Sequence, residues 1–214
     1  MSPKIELLAP GGDKDAIKAA IIAGADAVYC GLDTFNARNR AANISFDELV
    51  GIIRLAHHYD CKIFLTLNIV ILEREFKSLA KLLSKLANTT LDGVIVQDLG
   101  LLYILKKHFP TLDIHASTQL TTHNKGQIPF LKKLGATRVN LSREMNLKEI
   151  KAIPLRLNST MYSLKCLSMA LCVSLSLAYV IQLQPVLVTQ VTVVVVAKHV
   201  VKNMKQLNQV ITSR

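Results

Sequence analysis

The chain has 214 residues, half of them hydrophobic and 19% charged, which excludes wholesale disorder and suits one domain with a substantial core. A complete (β/α)8 barrel usually takes about 250 residues, so this length points to one domain cut short. The net charge of +11 favours an anionic partner such as RNA, but its distribution is uneven: residues 1–153 hold 20 Lys and Arg against 15 Asp and Glu, and residues 154–214 hold 6 against none. Cys30, Cys61, Cys166 and Cys172 lack the tight spacing of a zinc site or a secreted disulfide framework, which suits a reducing cytoplasm. The charged opening from Met1 to Glu6 leaves no apolar stretch for a signal peptide.

In chain order, short β-branched apolar runs recur at Ile5–Ala9, Ala27–Gly31, Lys62–Leu67, Gly93–Val96, Asp113–Ala116 and Arg138–Leu141. Each has the character of a buried parallel strand. Amphipathic stretches alternate with them, roughly Lys14–Ala23, Phe46–Tyr59, Glu73–Ala87, Leu101–Lys107, Ile128–Leu134 and Leu147–Ile153. Asp13 can cap the first helix and Gly24 can end it, while Ser45-Phe-Asp-Glu48 fits a capping box. The expected fold is α/β, an incomplete (β/α)8 TIM-like barrel of about six βα units over residues 1–153.

Residues 154–214 form a second region, an aberrant apolar tail without Asp, Glu or Gly. From Cys166 to Ala197 there are 32 residues without a charge, ending in the run Val193–Val196. Length and apolarity admit a membrane span, but Ser174, Ser176, Gln182, Gln184, Pro185, Thr189, Gln190 and Thr192 interrupt it and argue against one. A strand-pairing segment prone to self-association is the plainer expectation.

In parallel barrels the chemistry gathers where strands end and the following loops begin. Those positions carry polar groups here. Glu6, His115 and Glu144 are candidates for acid–base work, and Asn36, Arg38, Thr66, Asn68, Gln97, Asp98, Ser117, Gln119 and Arg143 for binding a polar or anionic substrate. Glu6 can act as an acid or base, or pair with Arg143 or Lys62 inside the barrel. His115 can face a ligand at a strand terminus or be a hydrogen-bonded structural histidine. His57 and His58 follow a helical run and read as surface residues. Pro10-Gly11-Gly12 can cradle a phosphate or simply make a tight turn. Arg38 and Arg40 can meet phosphates or water. No catalytic triad, Walker loop or zinc-ligand spacing is present, and no metal ligand is expected.

The phrases Glu6-Leu-Leu-Ala-Pro-Gly-Gly12, Gly24-Ala-Asp-Ala-Val-Tyr29, Phe35-Asn-Ala-Arg38, Thr66-Leu-Asn68, Val96-Gln-Asp98, His115-Ala-Ser-Thr-Gln119 and Ser142-Arg-Glu144 resemble peptidase family U32 over residues 4–153. Within that family the wording is most similar to the branch hydroxylating a cytidine of large-subunit ribosomal RNA. The resemblance implies a four-iron four-sulfur cluster held by four cysteines, with prephenate as hydroxyl donor, in intact members. The expected signature V-F-I-H-G-A-L-C, then a second cysteine in S-G-x-C-Y, then G-N-R-G-x-C-S-Q-x-C, is missing from the tail. Regrouping the tail's codons by one frame permits it: Lys165–Tyr179 can read V-F-I-H-G-A-L-C-V-S-F-S-G-L, Tyr179-Val180 can supply the following cysteine, and Gln190–Val200 can read G-N-R-G-R-C-S-Q-T-C.

A frameshift near Ile153 therefore explains the tail, and Cys166 and Cys172 are then not the family's ligands even though Ala170-Leu-Cys172-Val-Ser174 imitates the wording. Cys30 and Cys61 read as buried thiols. The resulting expectation is a truncated, inactive relative of the RNA hydroxylases, with RNA as partner in intact relatives and no cofactor in this chain. A collagenase-like hydrolase, as the family name implies, and a non-enzymatic RNA-binding or membrane-associated fragment are the alternatives.

Overall fold

The computed structural model describes residues 6–37 and 44–153, together with the backbone of 156–157, 160–161, 163–168 and 191–195. The elements run β1 (Glu6–Gly11), α1 (Lys14–Ile22), β2 (Ala27–Gly31), α2 (Phe46–His58), β3 (Lys62–Leu67) and α3 (Phe76–Leu86). They continue with β4 (Gly93–Val96), α4 (Leu99–His108), β5 (Asp113–Ala116), α5 (Gln127–Lys133), β6 (Arg138–Asn140) and α6 (Leu147–Ala152). Single 3-10 turns at Glu73–Glu75 and Thr118–Leu120 precede α3 and follow β5.

Each of β1 to β6 pairs in parallel with its sequence neighbour. This is the six-unit βα array expected from the alternation of apolar runs and amphipathic stretches. Helix termini follow the local signals: Asp13 accepts from Ala16 N at 2.7 Å, and Ser45 and Glu48 form the reciprocal capping box. Gly24 takes a φ of +90° just past α1, a conformation a Cβ would penalise.

Beyond residue 153, β7 (Arg156–Leu157) and β8 (Thr160–Met161) form an antiparallel pair. Then β9 (Ser163–Ser168) lies parallel to β6, and β10 (Val191–Val195) lies parallel to both β9 and β1. The ring closes in the order β1-β10-β9-β6-β5-β4-β3-β2. The incomplete array thus has its gap filled from the tail. The charge-free, β-branched β10 is suited to a stave with partners on both sides and takes the open edge of β1, while β9, which carries Lys165, takes that of β6. The strand-pairing capacity of the valine run is used here within the chain.

Two cores result. Leu8, Ala27, Phe64 and Ile95, with Tyr29 against them, fill the barrel interior. A larger cluster, including Ile17, Leu49, Ile53, Leu65, Leu79, Val94, Leu101 and Ile128, lies between strands and helices. Pro10-Gly11-Gly12 is not a free loop: Pro10 and Gly11 belong to β1, paired with Tyr29 and Cys30. A Cβ at Gly11 would sit 2.3 Å from Ile17 Cγ1, so this glycine serves the close packing of α1 on its strand.

Candidate functional site at the strand C-terminal rim

The parallel strands deliver their C-terminal ends to one rim, and hydrogen bonds between consecutive loops fix it. After β2, Phe35 adopts a left-handed φ of 60°, which costs a non-glycine residue on the order of 1–3 kcal/mol. Asn36 next to it is buried and covers Gly31, where a Cβ would stand 2.0 Å from Asn36 Nδ2. Thr66, near the end of β3, donates to Cys30 O at 3.0 Å and lies 3.4 Å from Asn36 Oδ1. Asn68 Oδ1 accepts from Ala37 N at 3.2 Å. The loop after β2 is therefore joined to the end of β3 through three of the residues expected at the site, Asn36, Thr66 and Asn68.

The lattice continues along the rim. Asp98 caps α4 by accepting from Leu101 N at 2.8 Å and also accepts from Ile71 N at 3.2 Å, tying the loop after β3 to the helix after β4. Gln97, half-buried, directly follows β4. Ser117 is buried and its Oγ accepts from Gln119 N at 3.2 Å, while Gln119 is exposed on the 3-10 turn. Ser117 N donates to Val96 O at 2.8 Å. Past β6, Ser142 donates its hydroxyl to Glu144, and Arg143 and Glu144 are exposed. That hydroxyl, first, and backbone donation hold the Glu144 carboxyl below its usual range, so it stands as a carboxylate rather than a proton donor. Arg38 and Arg40 lie outside the described residues.

Two catalytic candidates are placed elsewhere. Glu6 opens β1 at the opposite mouth, where Arg138, opening β6, donates to both its oxygens at 2.8 and 2.9 Å. It is thus an interior ion pair, as one alternative held, with Arg138 as partner where the sequence suggested Arg143 or Lys62. His115 is fully enclosed: Nε2 lies 2.9 Å from Asp113 Oδ2 and the ring lies 4.3 Å from that of Phe64. The strand terminus does not expose this imidazole, because β5 runs one residue further and its inward side is already packed. His57 and His58 are exposed, as expected, and His57 is bonded at 2.9 Å to Asp92.

Two polar residues at the rim, Asn140 and Thr122, were not among the residues expected from the sequence. Asn140 ends β6 and is buried, as is Ser142 two residues on, whose phrase Ser142-Arg-Glu144 the sequence did mark. Thr122 is fully buried and bridges to Leu141, and its Oγ1 has no hydrogen-bond partner among the described residues. It follows Thr121, which holds a φ of 49°. Phe35 and Thr121 hold positive φ in the loops after β2 and β5, and Asp60, with a φ of 54°, does so at the other end before β3. Two grooves lie away from these residues, one lined by Leu91, Asp92, His108 and Pro110 and the other, between α2 and the end of α3, by Phe46, Arg54, Lys85 and Thr90. Neither touches the rim residues.

The described cysteines do not fit an iron–sulfur cluster. Cys30 and Cys61 are buried, and burial pushes each thiol up to about 12, whereas a cluster ligand must be a thiolate. Among the described residues, no group of three or more His, Cys, Asp or Glu side chains is arranged to hold a metal ion. No helix among them is long and apolar enough to cross a membrane.

The comparisons with known proteins follow the same outline. The chain is 40% identical over 152 residues to the 23S rRNA 5-hydroxycytidine C2501 synthase of Escherichia coli K12, covering 71% of this chain and 23% of that protein. It is 37% identical over 179 residues to an uncharacterized protease of Methanocaldococcus jannaschii, covering 82% and 43%. Against the tRNA hydroxylation protein P of Escherichia coli K12 the identity is 34% over 150 residues, covering 70% and 33%. The chain therefore spans less than half the length of each of these relatives. The solved structure of a U32 peptidase superposes with a TM-score of 0.66 at 15% identity, over 92% of this chain and 94% of that one, and supports the barrel fold. Peptidase family U32 matches residues 12–182, a range that runs past residue 153 into the tail. With that share of the sequence matched, the chain belongs to peptidase family U32.

Proposed function

We propose that residues 6–153 form the substrate-facing part of a U32 barrel of the RNA-hydroxylase kind, directed at a pyrimidine in ribosomal or transfer RNA. The observation that carries this reading is the 40% identity to an rRNA hydroxycytidine synthase over the segment that builds the rim. The rim chemistry agrees with it: amides and hydroxyls at Asn36, Thr66, Asn68, Gln97, Ser117 and Gln119, with Arg143 beside them, can read a base edge and hold a phosphate. In this reading the rim residues bind and orient the base, Phe35 and Thr121 hold their loops in shape, and Glu6 and His115 support the barrel.

The same proposal includes a change of reading frame near Ile153. The composition of residues 154–214 supports it, since Asp, Glu and Gly are all missing there. The match that reaches residue 182 is compatible with it, because Ala170-Leu-Cys172-Val-Ser174 imitates the expected signature in the unshifted frame. Without the cluster ligands the chain binds RNA but does not hydroxylate it. The collagenase-like alternative rests on the family name and on relatives named as proteases. His115, enclosed and bonded to the half-buried Asp113, offers it no accessible imidazole base.

The test is mass spectrometry of ribosomal RNA from a bacterium lacking its own 5-hydroxycytidine synthase and expressing this chain. We expect no hydroxycytidine from the chain as it stands, and the modification from a version whose frame is corrected near codon 153. Hydroxycytidine formed by the unaltered chain contradicts the loss of activity, and none from the corrected version contradicts the hydroxylase assignment.

A further inference from the structure

We propose that the outer face of α4 and α5 is the surface on which this barrel holds RNA, with lysines taking the sugar–phosphate backbone and Tyr103 and Phe130 taking unstacked bases. The inference rests on the RNA reading above and adds the place of contact. Tyr103 and Phe130 are 56% and 52% exposed. Each stands three residues before a lysine on its helix, Lys106 and Lys133, and residues three apart share a helix face. Lys106 Nζ donates to Lys133 O at 2.7 Å, so a lysine of α4 ties it to the end of α5 and makes the two helices neighbours.

The charge of this face is predominantly positive, with Asp92 beside His108 at the end of α4. Lys106, Lys107, His108, Lys132 and Lys133 are exposed at the ends of α4 and α5. Between Asp98 and Glu144 the one acidic residue is Asp113, and it is turned to His115 and Thr137. Lysines in a last helical turn complement the helix dipole, and that alone accounts for some of them. It does not account for two exposed aromatics among them. Aromatic faces interleaved with cations, with few acids, are what single-stranded or looped RNA requires.

The face also leads to the site. Asp98 starts α4 at the rim, and the helix of ten residues is about 15 Å long. Leu99, one turn before Tyr103, is exposed, as are Val70 and Leu72 in the loop bonded to Asp98. An exposed apolar line thus runs from the two aromatics towards the rim, and an RNA strand lying along it would present a base there.

The test measures binding of a short RNA hairpin with a single-stranded loop to the full chain by fluorescence anisotropy at several salt concentrations. Tyr103→Ala with Phe130→Ala is expected to weaken binding about tenfold with the salt slope unchanged. Lys107→Gln with Lys133→Gln is expected to weaken it and to lower the salt slope by roughly 0.7 for each contact removed. Lys77→Gln with Lys81→Gln on α3 removes the same charge elsewhere and should stay within about twofold of the parent. Thermal melts confirm that each variant folds. If the parent binds the hairpin and both α4–α5 variants bind it equally well, the surface is wrong while the RNA reading stands. If the α3 pair weakens binding as much as the α4–α5 lysine pair, or a poly-glutamate competitor displaces RNA at equal charge, the face is a general polyanion surface and the proposal fails. A parent that binds no RNA overturns the RNA reading itself.

Discussion

Asp113 keeps its charge against burial, which opposes ionisation; hydrogen bonding and charge from His115, the Thr137 hydroxyl and Arg138 outweigh that and pull its carboxyl well below the usual range. A folded value below the unfolded one means that the unfolded chain binds more protons in acid, so the stabilisation is present above about pH 4 and is lost as pH falls further. Asp113→Asn should therefore unfold more easily than the parent in denaturant titrations at neutral pH, with the difference shrinking below about pH 4. A difference independent of pH would refute this role. Glu6→Gln leaves the half-buried Arg138 guanidinium without its carboxylate and should cost about 1–3 kcal/mol. Replacing both residues by Leu and Met should recover much of that loss. At the rim, Gly31→Ala drives a methyl into the Asn36 amide and should cost about 1–3 kcal/mol by thermal denaturation.

Residues explain which parts of the site were legible. Asn36, Asn68 and Ser117 follow runs whose β-branched character marks a strand, and Thr66 lies near the end of one, so position in the chain already implies the rim. The Glu6 partner lies 132 residues away, and only the closed ring decides between Arg138 and the other cations. The burial of His115 depends on which interior layer it enters and on the ring of Phe64, neither of which leaves a local signal. Thr122 sits in an irregular loop and becomes buried through its bridge to Leu141, a tertiary contact with no periodicity to reveal it.

Among elements, α4 is the one whose cap does two jobs. Asp98 completes the helix and holds the loop after β3 through Ile71 N. Asp98→Ala should cost about 1–2 kcal/mol, and hydrogen exchange should speed up at the amides of Ile71 and Leu101 more than at those of α1. Equal changes in both regions would mean that the bond to the loop adds nothing. The capping box at Ser45 and the glycine after α1 were readable because a helix end is a local event. The strand reach of Pro10 and Gly11 was not, since pairing with Tyr29 and Cys30 depends on the neighbouring strand.

For the whole molecule, the six-unit array was legible because alternating apolar runs and amphipathic stretches leave few ways to bury both. The closure by β9 and β10 was not, since those strands come from a segment with none of that alternation, and parallel pairing of a valine run has no local marker. In the function proposed above, the tail is the shifted reading of a cluster-binding region joined to a U32 barrel that retains its RNA-facing half. Its most direct test is the nucleotide sequence of the gene from the codon for Ile150 onward. The account predicts that one single-base shift near codon 153 opens a frame encoding glycines, acidic residues and four cysteines in the expected order. A coding sequence in which neither alternative frame continues without a stop, or in which none supplies those cysteines, would contradict it.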